Sequence, residues 1–345
     1  MICITGSHRS GSSMVAWLLN LAGVYLGADY ELLQPAPDNP EGFWENLLFV
    51  NLNNGLLHRL KGSWHEPPRF EPGWFQRSEF QPLHDQARTL IERFDAQRPW
   101  GWKDPRTSLT LPFWKHLVPG LKVVVCLRNP GDVARSLEAR GEKLPFVELW
   151  HTYNRRLLEA TRPEERLVTH YESYFHHPEA ELRRVLSWLG LATSGPGFEQ
   201  ALASIRRPLK HHETTISATL EQIPPQILDA YMEMCAEAGP VFADWLRQRP
   251  IEIDGLQLTV GPQRDAPLGY REVRLLARLS AERATLKQEC SELTSKLDVT
   301  HEKLALAHQE LAEARKELDG VARSRAWQLL QILLKPLRVF RRKPT

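Results

Sequence analysis

The stretch from Ile2 to Met14 constrains this chain more than any other. Ile2-Cys3-Ile4-Thr5 is a short apolar and β-branched run that reads as a buried strand. Gly6-Ser7-His8-Arg9-Ser10-Gly11-Ser12-Ser13 follows, and an apolar helix begins near Met14. Strand, glycine loop and helix in that order aim backbone N–H groups and a helix N-terminus at an anion. Gly6 and Gly11 have the spacing of the phosphate loop Gly-x-x-x-x-Gly-Lys-Ser/Thr, but Ser12 stands where the lysine belongs. A nucleoside triphosphate site needs that lysine on the β- and γ-phosphates and the next hydroxyl on Mg²⁺. The later strand Val123–Leu127 runs into Arg128 rather than an acidic Mg²⁺ ligand. The loop therefore suits an anion, but not Mg-NTP hydrolysis.

Residues 1–250 alternate strands and helices. Strands are expected at Ile2–Thr5, Val24–Leu26, Trp100–Lys103, Lys122–Leu127 and Leu167–His170. Helices are expected at Ser12–Ala22, Phe43–Lys61, Glu79–Ala96, Pro130–Ala139, Phe146–Ala160, Glu179–Leu189 and Pro225–Arg247. Lys122–Leu127 is β-branched throughout its middle, as a parallel strand covered on both faces would be. The alternation implies an α/β fold with a parallel sheet.

A second anion-receptive element follows that strand. Arg128 stands at the carboxyl end, where ligands of open α/β sheets bind. Arg128-Asn-Pro130-Gly-Asp132 then opens a helix, with Ser136 about two turns on. A guanidinium and a hydroxyl so placed can grip a second phosphate. The competing use of Arg128 is an ion pair with Asp132.

Arg9-Ser10-Gly11-Ser12-Ser13 after the first strand, together with Arg128-Asn-Pro and Ser136 after a later one, resembles the sulfotransferase family. The likeness is to its bacterial and tyrosylprotein branch and covers about residues 1–210. It implies a P-loop-NTPase-like three-layer fold with a central parallel sheet. It also implies the donor 3′-phosphoadenosine-5′-phosphosulfate (PAPS), an acceptor hydroxyl and no metal. His8, Arg9, Ser10, Gly11, Ser12 and Ser13 would take the 5′-phosphosulfate, and Arg128 and Ser136 the 3′-phosphate. Trp100-Gly-Trp-Lys103-Asp104-Pro105-Arg106-Thr107 resembles the family's Lys-Asp-Pro segment, with Lys103 facing the phosphosulfate. The competing reading makes Lys103 a surface partner of Asp104. Thr169-His-Tyr171-Glu172 is similar to a family segment that serves packing.

Sulfuryl transfer should proceed like phosphoryl transfer, by in-line displacement with charge building on the leaving phosphate. Arg9, Lys103 and the Gly11–Ser13 amides are placed to stabilise that charge. The acceptor needs a general base. Asp38-Asn-Pro-Glu-Gly42-Phe-Trp-Glu45 resembles a bacterial sulfotransferase stretch, and Glu45 is the leading candidate, beside the apolar Phe43 and Trp44. Glu31, His8 and Asp104 are alternatives. An acidic residue in a helix's first turn is also plain dipole complementarity. The catalytic set is thus Glu45, Lys103 and Arg9. Competing functions are a P-loop kinase and a catalytically inactive nucleotide-binding scaffold.

Six of the eleven tryptophans lie between Trp44 and Trp114. Such residues are core more often than a sugar-stacking face. His176-His177 and His211-His212 lack metal-ligand companions. The four cysteines, Cys3, Cys126, Cys235 and Cys290, form no Cys-x-x-Cys pair, so neither zinc nor a disulfide framework is expected. The chain opens on a strand rather than a signal peptide, and a cytoplasmic setting is expected.

The last third departs from this pattern. Ile251–Val260 alternates about Asp254-Gly255, a hairpin signal, and Gly261–Gly269 reads as a linker. From Leu276 a heptad register runs to Val321. Position a takes Leu276, Arg283, Cys290, Leu297, Leu304, Leu311 and Leu318. Position d takes Leu279, Leu286, Leu293, Thr300, Ala307, Ala314 and Val321. Only Arg283 and Thr300 interrupt the apolar seam, so self-association through a coiled coil is expected. Net charge is +2, yet all seven charged residues from Ala322 to Thr345 are basic, leaving an acidic body with a basic tail. That tail holds Trp327 and several leucines, which suits contact with an anionic membrane surface. A glycan or lipid-linked acceptor at the inner face of the membrane, and no nucleic acid, are the expectations. The division expected is a catalytic domain over 1–250, hairpin and linker 251–270, coiled coil 271–321 and tail 322–345.

Overall fold

Alternation along the strands sends apolar side chains to both faces of one sheet. The structure is a computed structural model and describes residues 1–36, 39, 42–139, 141, 144–205, 223–248, 251–253, 256–258 and 270–339. Four strands, β1 (Ile2–Gly6), β2 (Gly101–Lys103), β3 (Lys122–Leu127) and β4 (Arg166–His170), pair in parallel in the order β2-β1-β3-β4. Ile4 lies opposite Lys103 on one side and Val124 on the other.

The helices of this first unit, Met1–Ala281, are α1 (Ser12–Leu21), α2 (Leu47–Arg59), α3 (Gln81–Asp95), α4 (Thr107–Leu117), α5 (Pro130–Glu138), α6 (Phe146–Ala160), α7 (Ser173–His176), α8 (Pro178–Leu189), α9 (Pro196–Ser204), α10 (Pro225–Glu237) and α11 (Pro240–Arg247). Cys3, Val123 and Val125 point into one apolar cluster with α2, α3, α4 and α6. Ile2, Ile4, Val124 and Cys126 point into the other with α1, α8 and α9. The result is the three-layer α/β sandwich expected. Burial of each such aliphatic side chain contributes roughly 1.5–3 kcal/mol.

Several elements differ from expectation for local reasons. Val24–Leu26 forms only a single bridge, Tyr25 to Trp100, because Gly23 and Gly27, with φ of 99° and 123°, turn the chain on either side. The helix expected from Pro225 to Arg247 is two helices, broken at Gly239 (φ 85°) and Pro240. Helix α4 was hidden by its internal Pro112. Burial of Leu109, Leu111, Phe113 and Trp114 outweighs that breaker. Helix α2 starts at Leu47, where the Asn46 side chain accepts from the Leu48 N–H as N-cap.

Strands β5 (Ile251–Ile253) and β6 (Leu256–Leu258) pair antiparallel. Their Asp254-Gly255 turn, the Gly261–Gly269 linker, His211-His212 and the terminal Arg341-Arg342-Lys343 lie outside the described residues. The second unit is Glu282–Thr345. It takes in most of α12 (Tyr270–Arg323), 54 residues and so about 80 Å long, and all of α13 (Arg325–Val339). Ser324 separates the two helices, its Oγ accepting from the Trp327 N–H at 3.2 Å. Among the described residues, no helix is long and apolar enough to cross a membrane.

Candidate active site

Arg9 in the loop after β1, Lys103 as the last residue of β2 and Arg128 just after β3 stand at neighbouring carboxyl ends of the sheet. Gly11 is the N-cap of α1 with φ 87° and no side-chain cap, so the first N–H groups of α1 have no side-chain partner at the cap. Both glycines of this loop are fixed by geometry. A Cβ on Gly11 would collide with the Tyr171 ring, and one on Gly6 (φ 144°) with the Cys126 carbonyl. Arg9 is itself left-handed, with φ 65°. Ser10 Oγ donates to the Ser7 carbonyl at 2.7 Å and closes the loop on itself. Ser7 Oγ is buried without a hydrogen-bond partner.

The two anion-receptive elements meet. Arg9 Nε donates to Ser136 Oγ at 2.9 Å, and Arg128 Nη1 approaches the Arg9 carbonyl at 3.5 Å. The Arg128 guanidinium lies over the Tyr171 ring at 4.5 Å. Tyr171 thus touches both Gly11 and Arg128, a role its sequence context did not reveal. Asp132 accepts from Arg135 at 2.6 Å.

Lys103 is buried rather than superficial. Its Nζ donates to Glu45 Oε1 at 2.8 Å, to the Phe43 carbonyl at 3.0 Å and to Ser13 Oγ at 3.3 Å. Its partner is therefore Glu45 and not Asp104. Glu45 precedes the N-cap of α2, so it does not sit in the first helical turn and dipole complementarity does not explain it. The preceding Trp44 has φ 61°, a left-handed non-glycine residue of the kind that gathers at functional sites. Asn39 reaches Ser13 Oγ at 3.5 Å and the Gly42 carbonyl at 2.6 Å. Asp38, Pro40 and Glu41 of the same stretch lie outside the described residues.

A buried polar network holds Asp104, the chain neighbour of Lys103. Asp104 accepts from Asn53 Nδ2 at 2.7 Å and from the Arg106 backbone and guanidinium at 2.9 and 3.0 Å. Asn53 Oδ1 accepts from Thr110 at 2.6 Å and from Trp114 Nε1 at 2.8 Å. Thr5 Oγ1 donates to the Asp104 carbonyl at 2.9 Å and shares a hydrogen bond with Ser108 Oγ. Burial opposes the charge on Arg106, but the Asp104 and Glu45 carboxylates outweigh it and raise its pKa above the ordinary value. Sequence reasoning missed Asn53 and Arg106. The latter had a signal, its place three residues after Lys103.

The other residues expected as candidate bases have these surroundings. Glu31 pairs with Arg93 and accepts from the Ala28 N–H and Asn46. Asp104 is the network's centre. His8 packs on Trp64 and Tyr153, with ring centroids 4.7 and 5.5 Å away. Of the six tryptophans, Trp74, Trp100, Trp102 and Trp114 are core, and only Trp44 and Trp64 are half-buried. Among the described residues, no group of three His, Cys, Asp or Glu is placed to hold a metal.

The model of the sulfotransferase family matches residues 2–195. No curated protein matches the chain. Solved structures it resembles include a sulfotransferase of Mycobacterium tuberculosis, 15% identical, covering 67% of this chain and 75% of that one, TM-score 0.39. Another is the sulfotransferase domain from the curacin biosynthetic pathway, 16% identical, covering 84% and 97%, TM-score 0.40. A third is a sulfotransferase from Alicyclobacillus acidocaldarius, 17% identical, covering 69% and 93%, TM-score 0.37.

Proposed function

The chain belongs to the sulfotransferase family, and from that premise we propose that it moves a sulfuryl group from PAPS to an acceptor hydroxyl, with Glu45 as general base. The observation that carries this reading is Lys103, whose ammonium bonds both Glu45 and Ser13 in the first turn of α1. One cation joins a carboxylate able to take a proton to a loop able to take an anion.

The donor set fits an adenosine bisphosphate-type donor. Its anion-receptive groups are cations, hydroxyls and an uncapped helix start, and Ser7 supplies a buried hydroxyl with no partner. His8, Arg9, Ser10, Gly11, Ser12 and Ser13 would hold the 5′ end, with Arg128 and Ser136 at the 3′-phosphate. When bound, the donor supplies an activated sulfuryl group. Glu45 would accept the acceptor's proton. Lys103 and Arg9 would stabilise charge on the leaving phosphate from fixed positions, at no reorganisation cost. Arg128 is oriented by Tyr171. Trp44 beside Glu45 and Trp64 against His8 support a sugar as the acceptor's body, so a glycan hydroxyl is the acceptor proposed.

The exposed Trp327, Leu330 and Leu333 of α13, with the basic residues around them, support peripheral contact with anionic lipid. That reading would place the enzyme on the inner membrane face.

Thermal-shift titration tests the core of the proposal. Stabilisation by 3′-phosphoadenosine-5′-phosphate without Mg²⁺ is expected, and a preference for Mg-ATP would overturn it in favour of a kinase. Labelled-sulfate transfer lost in Glu45→Gln, with nucleotide binding kept, is expected of the base. An unchanged rate would remove Glu45 from that role.

A further inference from the structure

Every described side chain of α12 from Glu282 to Arg323 is exposed. The a and d residues Leu286, Leu293, Leu304, Leu311 and Leu318 stand between 53% and 69% exposed along one stripe. A helix that buries no side chain draws its stability only from intrinsic propensity and local pairs, and so regular an apolar stripe is the face of an interface. The occupant is legible from the charges beside the stripe.

We infer that α12 pairs with a second copy of this chain as a two-stranded, parallel, in-register coiled coil. In a parallel pair each g residue meets the e residue five places on in the partner. That register sets Glu282 against Lys287 and Glu310 against Arg315, each pair formed twice by symmetry. The remaining flanks set Lys296 and Lys303 against His301 and His308, and Glu289 and Glu317 against Thr294 and Ala322. An antiparallel pair overlapping over its full length brings g against g instead. It would oppose Glu282 to Glu317, Glu289 to Glu310 and Lys296 to Lys303, like charges in every case. The sequence thus rewards one orientation and penalises the other.

Strand number follows from the seam. Ala307 and Ala314 at d leave too little volume to fill the wider core of a three- or four-stranded bundle. Arg283 at a keeps a route to water only at a two-stranded seam.

Position a also holds Cys290, which is exposed, while Cys3, Cys126 and Cys235 are buried. In register, the two Cys290 side chains face each other across the seam. In the antiparallel pair they would stand roughly 25 Å apart, 17 residues at ~1.5 Å each.

The test uses the full chain at neutral pH. Light scattering should give twice the 39.7 kDa chain mass, and a short bismaleimide should link the dimer covalently in the parent but not in Cys290→Ser. The double variant Glu282→Lys/Glu310→Lys should dissociate about tenfold more readily. Adding Lys287→Glu and Arg315→Glu should restore the parental constant. A monomeric, trimeric or tetrameric mass would overturn the inference. So would a dimer that the bismaleimide does not link, or a fourfold variant as weak as the double one.

Discussion

Arg9 Nε donates to Ser136 Oγ at 2.9 Å across 127 residues of chain, so the loop after β1 and helix α5 meet directly. A hydrogen bond involving a charged donor is worth roughly 1.5–3 kcal/mol, and two residues sharing one bond do not act additively. Calorimetric titration with 3′-phosphoadenosine-5′-phosphate should show at least about tenfold weaker binding for Arg9→Ala. Ser136→Ala should also weaken binding, and the double variant should lose less than the sum of the two single losses.

Gly11→Ala should damage the site through Tyr171. The new methyl must displace the ring on which Arg128 rests, and the φ of 87° is already unfavourable for alanine. A loss of about 2–4 kcal/mol in stability is expected from strain and overpacking together. Gly23→Ala is the control, with φ 99° and open space around it, and should lose only about 1–2 kcal/mol. Denaturant midpoints of the two variants make the comparison.

Asn53→Leu should fail as a conservative swap of volume. It removes a hydrogen-bond partner from Asp104 Oδ2, Thr110 and the Trp114 N–H in a buried setting, leaving Asp104 with Arg106 alone among its side-chain partners named above. An unsatisfied buried polar group costs about 1–3 kcal/mol, and more when charged. The melting temperature should fall, and transfer activity should fall with it because Asp104 is the chain neighbour of Lys103.

Acid should weaken the protein partly through Glu165. Burial raises its pKa, but the Arg162 backbone N–H and the Lys115 and Arg162 side chains outweigh burial and bring it to about 2, from an ordinary 4.5. A carboxyl depressed on folding stabilises the fold above its unfolded value, and that contribution drains away as pH falls from about 4.5 to about 2. Glu165→Gln should be less stable near neutrality, with a shallower decline across that window. Urea midpoints measured from pH 7 to pH 2.5 provide the check.

The sequence made the strands and the cationic loop ends legible. Lys122–Leu127 was readable to the residue because its β-branched centre admits no helix period. Arg9, Lys103 and Arg128 were readable because each lies at or just beyond the carboxyl end of a strand. The Lys103–Glu45 pair joins residues 58 apart, and only the folded chain shows that Lys103 turns from its neighbour Asp104 to Glu45. Asn53 was opaque for a related reason. It sits among leucines on α2, and its partners lie 51 to 61 residues away. Helix α4 was obscured by Pro112, whose local cost is outweighed by burial that a local window does not register.

Lys103 touches the loop at Ser13 and the carboxylate at Glu45 at the same time. Whatever draws its ammonium toward one of them changes the field at the other. With an anion at Ser13 and an acceptor beside Glu45, as proposed, the two occupancies would be thermodynamically linked through a single side chain. Such linkage is reciprocal: the factor by which an anion in the loop alters affinity beside Glu45 must equal the factor by which a ligand there alters affinity in the loop.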